Sequence, residues 1–257
     1  GVASGISAVI VYPMNALAED QLGRLRSLLA GTGITFGMYV GKTPENEADV
    51  AGVRLPHGAS RADYDAKLAE VRREKRSDTV YPPEEVCSRE MMRTPGHQPR
   101  ILLTNVKQLE LLLTRQRDVE LFTGARLDFL VFDEAHTFTG AQGAETACLV
   151  RRLRAFCGRD AQDTVCVATS ATIVDRESPD AARSFAARFF GVPRESVATV
   201  GEAYEREVWI DDRTVPPAPS RSPADILQAC VAAVEDESPA GVAVRSAYRD
   251  LEGSNMK

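Results

Sequence analysis

Asp133 and Glu134 end a mostly apolar run, Leu127-Asp128-Phe129-Leu130-Val131-Phe132. Two carboxylates at the end of a buried strand are held rigidly over the edge of a sheet. One can hold a hard cation, often through water, and its neighbour can polarise an attacking water as a general base. His136 follows two residues later. A surface helix start also favours an Asp-Glu pair, because acids stabilise helix N-termini. The four residues Asp133 to His136 leave both readings open.

Other polar motifs follow other apolar runs. Tyr12-Pro13-Met14-Asn15 follows Ala8 to Val11, and Gly41-Lys42 follows Ile34 to Val40. Thr104-Asn105 follows Ile101 to Leu103, and Thr169-Ser170-Ala171-Thr172 follows Thr164 to Ala168. Helical spacing fills the gaps. Leu17, Leu22, Leu25, Leu28 and Leu29 form an apolar stripe ended by Gly31 and Gly33, and further helices are predicted over 106–115, 143–156 and 179–190. Short apolar strands alternating with helices are the pattern of a parallel sheet covered on both faces. In such sheets ligands gather at the carboxyl ends of the strands, where these polar motifs are expected. Small polar side chains and helix N-termini there can grip phosphates without reading bases. Helix capping explains Asn15 and Thr104 equally simply, and Lys42 in a Gly-Lys turn is as well read as a solvated side chain.

Between residues 43 and 99 the pattern breaks. Charges and prolines dominate, with one helix predicted over 61–75, and the stretch reads as a partly mobile insertion. A last strand is predicted over 207–210, a proline-rich linker over 215–220, a helix over 223–235 and a tail over 251–257.

Bulk properties narrow the function class. The 257 residues are 44% hydrophobic and 26% charged, with a net charge of −6. That is ordinary for a soluble globular protein and argues against a bulk electrostatic nucleic-acid binder, although a local basic strip is compatible with it. The five cysteines are scattered, without a CxxC pair, which indicates neither a zinc site nor a disulfide framework and fits a reducing cytoplasm. His57 and His97 have no evident metal-ligand partners. Arg151, Arg152 and Arg154 form a basic cluster best read as a solvated helix face. No signal peptide or membrane-spanning run is visible.

Order and spacing together resemble the superfamily 2 helicases of the DEAD/DEAH-box group. Asp133-Glu134-Ala135-His136 is similar to motif II, Ser170-Ala171-Thr172 to motif III, the run from Tyr12 to Gln21 (YPMNALAEDQ) to motif Ia, and Thr104-Asn105 with the leucines after it to motif Ib. The segments YPMNALAEDQLGRLR, MYVGKTPE, ILLTNVKQLELLLTR and GAQGAETACLVRRLR are similar to bacterial MrfA-like and Lhr-like DNA helicases and to phage-defence helicases of the DISARM type. The resemblance implies an α/β fold: a RecA-like parallel sheet with helices on both faces, part of a P-loop NTPase domain, over residues 1–210, with 211–257 as linker and tail.

The resemblance also implies roles. Asp133 would hold magnesium through water, and Glu134 would activate the water that attacks ATP. His136, Ser170 and Thr172 would couple nucleotide state to domain movement. Pro13, Asn15, Gln21, Gly41, Lys42, Thr104 and Asn105 would line a track for DNA. The iron–sulfur cluster of some relatives is not supported, because Cys87 is the only cysteine in the insertion.

One family element has no counterpart. GxxxxGK[ST] does not occur, and Gly1-Val2-Ala3-Ser4-Gly5 has neither the lysine nor the hydroxyl after it. The chain is therefore expected to begin just after that loop and to need another polypeptide for it and for a second RecA-like domain. Alone it is expected to hydrolyse ATP negligibly. Two alternatives stand beside this one. A non-enzymatic, degenerate RecA-like scaffold or DNA-binding subunit is the main one. A nuclease built on Asp133 and Glu134 is weak, because no second acidic strand end is present.

Overall fold

The computed structural model describes residues 5–170 and 179–200. The β-branched run Ala8–Tyr12 forms β1, ended by Pro13, and α1 (Asn15–Leu29) follows at once. β2 (Phe36–Met38) precedes the insertion, and β5 (Ile101–Asn105) follows it, running directly into α4 (Val106–Thr114). β6 (Phe129–Phe132) leads to the Asp-Glu pair and α5 (Gly140–Phe156). β7 (Val165–Ala168) and α6 (Pro179–Phe190) complete the described elements outside the insertion.

The strands form one parallel sheet in the order β2-β5-β1-β6-β7. Successive strands reach their places through crossovers, which parallel pairing requires. α1 packs on one face of β2, β5 and β1, where Ala18, Leu22, Leu25 and Leu29 meet Ile10, Phe36, Ile101 and Leu103. That set has helical spacing, whereas Leu17 and Leu28 fall off the stripe and are exposed, unlike the expectation for them. α4, α5 and α6 cover the other face over Val9, Val11, Leu102, Leu130 and Phe132.

The face on α1's side ends early. Phe129, Val165 and Val167 are 47%, 55% and 39% exposed. Phe129 pairs in register with Val165, and Val131 with Val167, so these side chains share one face. β7 also has no strand on its outer side among the described residues.

The insertion is docked on the sheet rather than hanging from it. It holds β3 (Val53–Arg54), α2 (Arg61–Arg73), β4 (Val80–Tyr81) and α3 (Arg89–Arg93). Ser60 and Asp63 cap α2 reciprocally, and β3 pairs with β4 in a small parallel sheet. The backbone then extends the main sheet past β2: the Phe36 amide donates to the Glu84 carbonyl at 2.9 Å, and the Val86 amide to the Phe36 carbonyl at 2.8 Å. Gly37 permits this approach, because a Cβ there would meet Met92 and the Val86 carbonyl at under 3 Å. Arg26 of α1 clasps Glu85 through two hydrogen bonds of 2.6 and 2.8 Å.

The expected strand at 207–210, the linker, the C-terminal helix and tail, Cys230, Ala171 and Thr172 lie outside the described residues.

Candidate functional site at the carboxyl edge of the sheet

All five strands end on the same edge, and their order divides it. β2, β5 and β1 carry Gly41-Lys42, Thr104-Asn105 and Pro13-Asn15. β6 and β7 carry Asp133-Glu134 and Thr169-Ser170. The candidate nucleic-acid residues thus occupy one half of the edge, and the candidate catalytic ones the other.

The catalytic half is built tightly. The Asp133 amide donates to the Val11 carbonyl at 2.9 Å, continuing the β1–β6 ladder. Glu134 then takes a left-handed backbone conformation, φ 50°, sparsely populated by non-glycine residues and costing about 1 kcal/mol or more. Contacts from β7 hold it there. The Ala135 amide donates to the Thr169 carbonyl at 2.8 Å, and the Glu134 amide donates to the Thr169 hydroxyl at 3.1 Å. That hydroxyl in turn donates to the Asp133 carboxylate. Strand alternation places Asp133 and Thr169 on the same face as Val131 and Val167, the uncovered face. Burial, with the charge of Asp133 adding to it, pushes the Tyr12 phenol up to about 12, so it stays protonated.

His136 lies within reach of both neighbours. Its Nδ1 is 3.1 Å from the Glu134 carboxylate and 3.3 Å from the Ser170 hydroxyl. Behind the pair, Phe132 packs edge-on against Phe138 and Phe189, tying the start of the motif to α6. Gly143 lets α5 begin close by, since a Cβ there would meet the Phe138 carbonyl at 2.4 Å.

The donor set suits magnesium held jointly with substrate phosphates. Such ions take one or two carboxylates and keep several waters. Thr169 occupies one oxygen of Asp133 and leaves the other for a metal-bound water. Among the described residues no group of three or more His, Cys, Asp or Glu could hold an ion without substrate.

On the other half, Asn105 Nδ2 donates to Asn15 Oδ1 at 2.7 Å, joining the ends of β5 and β1. Asn105 Oδ1 accepts from the Gln108 amide at 2.8 Å and caps α4. Asn15 caps nothing: α1's capping position is Met14, without a side-chain bond. Pro13 and Gln21 are part-exposed, and Gly41 and Lys42 are exposed. Lys42 lies 3.4 Å from Glu19 of α1, with its side chain 77% exposed. Thr104 departs from its expected place on the track. It is fully buried, and its hydroxyl donates to the Tyr39 carbonyl at 2.8 Å. β5 runs two residues further than the apolar pattern indicates, which carries Thr104 into the core.

Arg151 donates to the Arg188 carbonyl at 2.8 Å, Arg154 to the Phe190 carbonyl, and Arg152 pairs with Glu110 at 2.7 Å. Two of the three arginines therefore satisfy the last carbonyls of α6, which have no partners within the helix. Thr169 is the site residue that the motif reading passed over.

The DEAD/DEAH box helicase family model matches residues 69–180. The chain is 28% identical to Druantia protein DruE of Escherichia coli (strain UMEA 4076-1), over 66% of this chain and 13% of that protein. It is 26% identical to the uncharacterized ATP-dependent helicase YprA of Bacillus subtilis (strain 168), over 65% of this chain and 17% of YprA. Solved structures of the DUF1998 helicase MrfA, one bound to DNA and AMPPNP, align over 73% of this chain at 25% identity, with TM-scores of 0.43 and 0.44. The chain spans 13% and 17% of the two curated relatives and about a fifth of the solved chains. No helix among the described residues is long and apolar enough to cross a membrane. The motif order and the parallel sheet that gathers those motifs on one edge agree with the match of residues 69–180 to the DEAD/DEAH box helicase family.

Proposed function

We propose that the chain supplies the catalytic carboxylates and part of the DNA track of an ATP-dependent DNA helicase or translocase serving phage defence or DNA repair. One observation carries the reading. Asp133, held by Thr169, stands on the uncovered face of β6 and β7, beside a strand with no outer neighbour among the described residues. A further β-α unit added there would place its connecting loop at the carboxyl edge, next to Asp133. A phosphate-binding loop fits that position: its backbone amides would hold the phosphates while Asp133 holds the hydrated metal. In this reading other polypeptide sequence provides that unit and the second RecA-like domain.

Within the reading, Asp133 would hold magnesium through water and Glu134 would accept the proton of the attacking water. His136 and Ser170 sense the change beside them, a role that Thr172 shares. Bound ATP and magnesium supply the phosphoryl-transfer chemistry. Pro13, Asn15, Gln21, Gly41, Lys42 and Asn105 grip the DNA backbone, and Thr104 acts through Tyr39.

The test is magnesium-dependent phosphate release from ATP, with and without single-stranded DNA. The chain alone is expected to turn over negligibly. Robust turnover abolished by Glu134→Gln would overturn the need for a supplied loop. A second reading is a non-enzymatic DNA-binding scaffold. The genomic sequence upstream separates the two: an in-frame or adjacent loop motif supports the enzyme, and its absence supports the scaffold.

A further inference from the structure

The insertion returns to the track through α3. Arg89, the first residue of that helix, donates from Nη2 to the carbonyls of Val40 at 2.8 Å and Gly41 at 2.7 Å. Its guanidinium also lies over the Tyr39 ring, 5.3 Å from the centroid. One turn later Arg93 donates to Asp118 at 3.2 Å, to the Tyr39 hydroxyl at 3.3 Å, and to Glu45. The Tyr39 hydroxyl donates to the fully buried Asp118 at 2.7 Å. Thr43 closes the turn from inside: its hydroxyl donates to the Met38 carbonyl at 2.7 Å and accepts from the Val40 amide at 2.9 Å.

Exposure separates the bracing cations from the presented one. The side chains of Arg89 and Arg93 are 14% exposed, against 77% for Lys42. A guanidinium spent on two carbonyls and a ring face has no fork left for a phosphate. It does neutralise two carbonyl oxygens that would otherwise repel an approaching anion. Gly41 has no side chain to stiffen the turn, so rigidity must come from outside it.

We propose that Arg89 and Arg93 are positioning residues through which the insertion fixes the Val40–Thr43 turn and presents Gly41 and Lys42 to a nucleic-acid backbone. This rests on the reading of Gly41 and Lys42 as part of the track. The insertion is then a working part of DNA binding, although none of its own side chains need touch DNA.

Two measurements on the same chain test the proposal and separate its failure from that of the track. The first is amide hydrogen exchange in Arg89→Ala. The Val40 and Thr43 amides are expected to exchange about tenfold faster or more, while those of Val9 and Leu102 in the central strands keep their rates. Unchanged exchange at Val40 and Thr43 overturns the brace, whether or not the chain binds DNA. Where the alanine variant does not fold, Arg89→Lys serves, because one ammonium cannot reproduce the two-carbonyl grip.

The second is fluorescence anisotropy with labelled single-stranded DNA over a range of salt, for Arg89→Ala, Lys42→Ala and the double variant. Each single change is expected to weaken binding about tenfold and to flatten the salt dependence by about one phosphate contact. The double variant is expected to match the singles within about twofold, as coupled residues do. Arg54→Ala, which removes a part-exposed cation paired with Glu47 elsewhere on the insertion, is expected to leave affinity unchanged. Additive losses overturn the proposal, since Arg89 would then act independently of Lys42. An unvaried chain that binds no DNA overturns the track reading and leaves the brace to the exchange result.

Discussion

The Thr169 hydroxyl donates to the Asp133 carboxylate and accepts from the Glu134 amide at 3.1 Å, so one side chain just past β7 holds both acids just past β6. A hydroxyl suits the place because it can donate and accept at once. Thr169→Val keeps the shape and removes both bonds. It is expected to cost about 1 kcal/mol of stability in urea unfolding, since a carboxylate and an amide exchange a protein partner for water at an exposed site. Thr169→Ser restores the hydroxyl and is expected to return to within about 0.5 kcal/mol. Equal losses for valine and serine would show that the methyl group, not the hydroxyl, matters.

Asn105 does two things with one amide group: it caps α4 through Oδ1 and reaches Asn15 through Nδ2. Asn105→Asp keeps the cap and replaces the donor with a second acceptor facing Asn15. Asn105→Ala removes both. Alanine is expected to lower stability by about 1 kcal/mol, the usual worth of an N-cap, and aspartate by less. Both are expected to weaken single-stranded DNA binding, aspartate at least as much as alanine because it adds a negative charge to the track. Anisotropy and thermal unfolding on the same samples separate the two roles. DNA affinity that follows stability across the pair would remove Asn105 from the track.

The motif residues show what was legible. An apolar run followed by polar residues marks each strand end, and parallel strands gather those ends on one edge whatever their order. Sheet order itself, which sets β1 between β5 and β6, depends on pairing between residues about ninety positions or more apart, such as Val9 with Leu102 and with Leu130. Thr169 was passed over because a Thr-Ser-Ala-Thr run does not say which hydroxyl meets the carboxylate. Alternation does: Asp133 continues the parity of Phe129 and Val131, and Thr169 that of Val165 and Val167. Thr104 was misplaced because nothing local shows that β5 continues past its apolar residues. The docking of the insertion rests on pairs such as Phe36 with Glu85 and Arg89 with Gly41, which have no local signature.

The exposed apolar face of β6 and β7 has a consequence in solution. Phe129, Val165 and Val167 present apolar surface beside a strand edge that is unpaired among the described residues, a combination that binds hydrophobic dyes and other chains. The chain is expected to enhance ANS fluorescence and to associate with rising concentration in sedimentation. Val165→Lys with Val167→Lys is expected to reduce both with little loss of stability, because both side chains stand part-exposed on the uncovered face. If the double lysine variant unfolds instead, the face is covered in solution.

Glu45 gives the brace a pH dependence of defined sign. Its hydrogen bond with Arg93 is the main cause holding its carboxyl below the usual glutamate range, outweighing a smaller opposing effect of burial. A folded-state value below the unfolded one means that folding favours the ionised form. The resulting stability is present above the ordinary glutamate value of about 4.3 and is lost as pH falls through the depressed folded value. Because the Glu45 side chain is 41% exposed, solvent screening keeps the contribution below about 1 kcal/mol. Glu45→Gln is therefore expected to melt below the unvaried chain at neutral pH, and the gap is expected to close as pH falls below the depressed folded value, where both carry a neutral side chain. Arg93 keeps its charge throughout, since burial pulls its guanidinium down but Glu45 and Asp118 hold it above its ordinary value. Thermal unfolding followed by circular dichroism from neutral to acid pH reads the gap directly. A gap independent of pH would mean that Glu45 acts through packing alone and that the Arg93 contact contributes no net electrostatic stability.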